Sequence, residues 1–110
     1  MLSENYKNKI RQSVEKKFGE MGVDEETINE LINVSIESLE EELSKIEEIL
    51  KTEDLSNLGF HTHTIKGILL NVGLEDDANS FKEIKHLFEA GKSNDEIKNI
   101  TIQRISIFKE

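Results

Sequence analysis

DEETINELINVSIESLEEELSKIEEILK, residues Asp24 to Lys51, decides the fold. Its apolar positions Ile28, Ile32, Ile36, Leu39, Leu43, Ile46 and Leu50 recur at intervals of three and four, the period of a helix with one buried stripe. The outer face is rich in glutamate, with Glu41 to Lys45 and Glu47 to Lys51 at the four-residue spacing that supports a helix. A helix this long and this one-sided must bury its stripe against other helices, and the flanking sequence supplies them.

Upstream, Ser3 is a good N-cap for a helix running to about Met21. Tyr6, Ile10, Val14 and Phe18 fall four apart on one face, and Gly22 is placed to end it. Downstream, a third helix is predicted from about Asp54 to Val72, stopping at Gly73. A fourth starts in the acidic stretch Glu75, Asp76, Asp77, which suits the positive end of a helix dipole. It turns Phe81, Ile84 and Phe88 inward and ends at Gly91. The fifth follows Ser93 and Asn94. Its ITIQRISIF stretch (100–108) alternates locally like a strand, but the alternation slips between Ile102 and Ile105 and no second strand exists to pair with it, so it reads as a helix. The expected architecture is all-α: an antiparallel up-and-down four-helix bundle over 24–110, with an additional N-terminal helix over 1–22, the whole chain 1–110 forming one domain.

Composition narrows the function. The chain has 110 residues, no proline, no cysteine, 5% aromatic residues and a net charge of −9 from 23 acidic and 14 basic side chains. The acidic balance argues against sequence-independent nucleic-acid binding and against docking on an anionic membrane surface. Without cysteine there are no disulfides, thiolate metal sites or thiol nucleophiles. Neither a signal peptide nor a run of transmembrane length is present, which makes a cytoplasmic protein the expectation.

The third helix carries the chemistry. With His63 as reference and about 100° per residue, Leu58, Ile65, Leu69 and Val72 cluster at about 180° to 240°. That is the face to be buried, so His63 points to solvent. Gly59 and Gly67 lie one turn before and after it, and Lys66 shares its face. A glycine in a helix interior costs about 1 kcal/mol relative to alanine, roughly 2 for the pair. What the two provide is access, because no side chain shields the imidazole along the helix. An exposed imidazole is largely neutral at cellular pH and can attack phosphorus through a ring nitrogen without a dedicated base. The transferring group is metaphosphate-like, so positioning and a nearby ammonium supply most of what the step needs. The chain shows no ATP-binding loop and no obvious magnesium site; donor and metal must come from a partner.

The run HTIKG (63–67), continuing as ILLNVG to Gly73, resembles the signature of histidine-containing phosphotransfer domains, and the likeness extends from about Ile36 to the C-terminus. The resemblance implies that His63 accepts the phosphoryl group, that Lys66 neutralises it and that Gly67 clears space for it. It also implies a four-helix core exchanging phosphoryl groups with the aspartate of a receiver domain, in a response regulator or a hybrid histidine kinase. The chain would then need no cofactor of its own, with Mg²⁺ supplied by the receiver. Four positions depart from the pattern. Ile68 and Leu69 replace small residues, on the buried side. Asp77 replaces a core leucine, which puts the start of the fourth helix in question. Lys85 stands where Gln or Glu is common; it cannot accept a hydrogen bond from the ring but adds positive charge.

Plainer readings compete. His61 and His63 look like a metal-ligand pair, yet residues two apart on a helix differ by about 200°, which favours a partly buried structural role for His61. His86 reads as a surface residue. Lys66, with Lys82 or Lys85, makes a local reversal of charge that would favour an acidic partner site. A helical adaptor with an accidental motif is the first alternative to a phosphorelay intermediate. A metal-dependent hydrolase using His61, His63 and His86 is the weaker second.

Overall fold

The computed structural model describes residues 1–110, which form helices joined by short turns, with no strand. The helices are α1 (Glu4–Glu20), α2 (Glu25–Leu50), α3 (Leu58–Asn71), α4 (Glu75–Ser80), α5 (Lys82–Glu89) and α6 (Asn94–Ile105), closed by a 3₁₀ turn over Ser106–Lys109. The predicted all-α bundle with an N-terminal helix is the fold observed. At 26 residues, α2 runs about 39 Å and sets the long axis of a molecule 46 Å in extent.

Local chemistry explains where most helices start and stop. Ser3, Asp24 and Ser93 have extended backbone and accept the N–H of Tyr6, Thr27 and Glu96 respectively, each satisfying a donor the first turn leaves free. Three helices end alike. Val23 N–H reaches Phe18 O, Leu74 N–H reaches Leu69 O, and Lys92 N–H reaches Leu87 O, each closing a loop around a glycine (Gly22, Gly73, Gly91) at positive φ.

The predicted stripes form the core. Ile28, Ile32, Leu39, Leu43 and Ile46 of α2 meet Tyr6, Ile10 and Val14 of α1 and Leu58, Ile65, Leu69 and Val72 of the α3 segment. Ile36 and Leu50 are only half-buried at its edge. The segment expected to be ambiguous is helical, and Ile97, Thr101, Ile105 and Phe108 are its buried stripe while Ile102 faces solvent. Phe108 stacks on Phe81 (5.9 Å between centroids) and meets the edge of Tyr6 (4.8 Å), which ties the last turn to α1 and to the α4–α5 joint.

Three expectations need correction. The third helix begins at Leu58, not near Asp54. The Asp54 carboxylate accepts the Ser56 N–H in a local turn, and Leu55 is buried as an anchor before helical bonding starts. The fourth helix is two. Arg104 Nε donates to the Ser80 carbonyl (3.2 Å), and Ile84 N–H bonds Phe81 O rather than the carbonyl four residues back. The Arg104 guanidinium also pairs with Glu83, fixing α6 against this joint. Phe88, expected inside, is 36% exposed; Ile84 and Leu87 pack toward the core instead.

Candidate functional site

His63 stands exposed on α3, and the face opposite it holds the fully buried Leu58, Ile65 and Leu69, as the helical angles require. Beside it lies an open groove of about 550 Å³. Its α3 side is formed by Gly59, Thr62, His63 and Lys66, with Ser56 just before the helix. The facing side is formed by Lys82, Lys85, His86, Phe88 and Glu89, with Phe81 at the joint. His63, Lys66, Lys85 and Gly59 are therefore brought together. Gly67, one turn on from His63, is half-exposed and borders the same face.

The two glycines differ. An added Cβ would meet nothing within 4 Å at either, so neither is required by packing inside the chain. Gly67 lies in the helix interior, where its conformational cost stands unrepaid by any internal contact. Gly59 is the second residue of α3, and the interior-helix argument does not apply to it. The expected cost of roughly 2 kcal/mol therefore falls to about 1, all of it at Gly67.

The groove is cationic in an acidic protein. Three ammonium groups and two imidazoles line it against one carboxylate, Glu89, which lies 3.9 Å from Lys85 in a largely exposed pair. Lys66 and Lys82 make no ion pair, and Glu83, the acidic neighbour of Lys82, is engaged by Arg104. No contact from an acidic side chain thus cancels the field of these two lysines.

His61 lies apart. Its Nδ1 donates to the Glu42 carboxylate at 2.6 Å, both side chains are mostly buried between α2 and α3, and the Phe60 ring meets its edge at 5.2 Å. No cluster of three or more His, Asp and Glu side chains is arranged to hold a metal ion. Phe60, 69% exposed, extends the solvent face of α3 with an apolar ring.

The acidic departure at position 77 is absorbed by α1. Asp77 accepts hydrogen bonds from the Tyr6 hydroxyl (2.8 Å) and Lys9 Nζ (2.7 Å), while Ala78 beside it is fully buried. Burial, and then the Asp77 carboxylate, push the Tyr6 phenol far above its ordinary 10.0. Leu69 is buried and Ile68 half-buried, so the two bulky replacements sit away from His63.

Sequence reasoning did not name the groove residues Ser56, Thr62 and Glu89, read Phe81 and Phe88 only as inward-facing, and placed His86 only as a surface residue. No pattern marked them as lining a groove, because the wall exists only once α5 packs beside α3.

The fold and the groove define the class of protein as an all-helical bundle that presents an exposed histidine one turn from a lysine. The Hpt domain family model matches residues 30–106, and the chain belongs to that family, the phosphotransfer carriers of two-component phosphorelays. The match begins inside α2, leaving α1 outside it. No curated protein and no solved structure matches the chain. No helix is long and apolar enough to cross a membrane.

Proposed function

We propose that residues 1–110 work as one phosphorelay intermediate, accepting a phosphoryl group on His63 from the aspartate of a receiver domain and returning it. The receiver would belong to a response regulator or a hybrid histidine kinase. The observation that carries this reading is an imidazole exposed on the solvent face of α3, in a groove shared with Lys66. In the transfer, a ring-nitrogen lone pair forms the N–P bond as the P–O bond of the aspartyl phosphate breaks. The electron pair leaves on the aspartate carboxylate, and the other ring nitrogen keeps its proton. Lys66 balances the charge arriving on the ring, Lys85 adds to it from across the groove, and Gly59 and Gly67 leave room for the receiver to approach. Mg²⁺ comes with the receiver. The chain carries phosphate between partners and has no turnover of its own.

Incubation with a phosphorylated receiver domain should give acid-labile, alkali-stable phosphate on the wild-type chain and none on His63→Gln. Label that persists in His63→Gln would overturn the assignment of the acceptor. A failure to label with any receiver of a broad panel would favour a helical adaptor.

A further inference from the structure

The relay reading requires one cation beside the phosphoryl group, and Lys66 supplies it. The groove holds more. Lys82 and Lys85 lie three apart on α5 and line the wall facing His63, with His86 next to them. Their direction is fixed by the fold: Ile84 is fully buried, and Arg104 clamps both Ser80 and Glu83 at the root of α5. Arg104 thus engages Glu83, the acid next to Lys82 in sequence, and Lys82 itself makes no ion pair. In a chain of net charge −9, this leaves a wall opposite the acceptor ring in which Lys82 is unpaired, and only the largely exposed Glu89, 3.9 Å from Lys85, offsets the two lysines.

The geometry points to Lys82 and Lys85 as a second half of the phosphoryl cradle that makes His63 a holding site, shifting the transfer equilibrium from receiver aspartate toward phosphohistidine. The inference rests on the relay reading and deepens it. A phosphoryl group carries close to two negative charges near neutral pH. Cations fixed on this chain stabilise the phosphorylated form over the free one, and they do nothing for the aspartyl phosphate once the receiver has left. Two exposed cations lining the same groove as the ring bias the equilibrium by a factor of about three to ten. The bias is electrostatic and should fade near 1 M salt, where the screening length is about 3 Å.

The test uses the full chain phosphorylated on His63, by phosphoramidate or by a phosphorylated receiver, as wild type, Lys82→Ala/Lys85→Ala and Lys82→Arg/Lys85→Arg. Two quantities are read. The ³¹P resonance of phosphohistidine should titrate higher in the double-alanine variant than in wild type by about half to one pH unit, the same three- to tenfold factor on the pH scale. The partition of phosphate with unphosphorylated receiver and Mg²⁺ should move three- to tenfold toward the receiver, and the double-arginine variant should restore both. An unchanged ³¹P midpoint would show that the wall does not touch the group. An unchanged partition would show that it does not hold it. Either result overturns the proposal while leaving the relay intact, whereas no label on His63 from either donor would sink both.

Discussion

Gly67 shows most directly how function is written against stability. A methyl group added there meets no neighbour, and alanine is the better helix former, so the glycine serves no internal purpose. Gly67→Ala should raise stability by about 0.5–1 kcal/mol in denaturant unfolding and, in the proposed relay, slow phosphotransfer from a receiver by narrowing the approach to His63. A variant that is more stable and equally fast would remove the access role. Tyr6 carries the opposite balance. Its hydroxyl joins α1 to Asp77, and its folded-state pKa is raised, so its contribution is present below pH 10.0 and is lost as pH rises above that value. It is the only tyrosine, so ultraviolet absorbance follows it alone. Phenolate should appear only as the chain unfolds, not at the ordinary pH. Tyr6→Phe should lower stability at neutral pH by about 1–2 kcal/mol and remove the alkaline loss linked to tyrosine ionisation.

Among the helices, α1 does more than cover the bundle. Ser13 Oγ donates to the Val72 carbonyl at 2.6 Å and Lys17 Nζ to Asn71 O at 3.3 Å, so α1 satisfies carbonyls at the end of the helix that bears His63. Gly73 makes this possible. At φ 87° it ends α3, and a Cβ there would stand 3.0 Å from Ser13 Oγ. Gly73→Ala should therefore destabilise by about 1–2 kcal/mol, from backbone strain together with the displaced serine. A thermal midpoint equal to wild type would show that α1 does not brace α3 in this way. The same logic reads the α4–α5 break. In ANSFKEI (78–84) only Asn79 and Ser80 hint at a break, Ser80 Oγ bonding the Asp77 carbonyl, while the apolar periodicity runs straight through it. What takes the Ser80 carbonyl at the break is the Arg104 guanidinium, 24 residues later in the chain, a partner no local pattern can encode.

Across the whole molecule, charge governs the response to acid. Asp24 and Asp54 are held below their ordinary 3.8 by hydrogen bonds with Thr27 and Ser56, and Glu47 and Glu53 below 4.5 by Lys109 and Lys98. Each folded value is depressed, so the stability these groups contribute is complete above their ordinary range and is lost as pH falls through the folded values. The thermal midpoint should decline below about pH 4. Asp24→Asn, which keeps the capping oxygen but cannot titrate, should show a shallower decline. If the two curves had equal slope, the cap would not be part of the acid response.

The helical state of each segment, most of the buried stripes, three glycine stops and the outward aim of His63 were legible along the chain, because each depends on residues within a turn or two of one another; the split of the fourth helix was not. The pairing of His61 with Glu42, the welcome Asp77 finds on α1, the exposure of Phe88 and the cationic wall facing His63 were not. Each is made by side chains distant in sequence, and their positions relative to one another are set only when the helices pack. Local periodicity fixes which way a side chain leaves its own helix; the tertiary structure alone fixes what it meets.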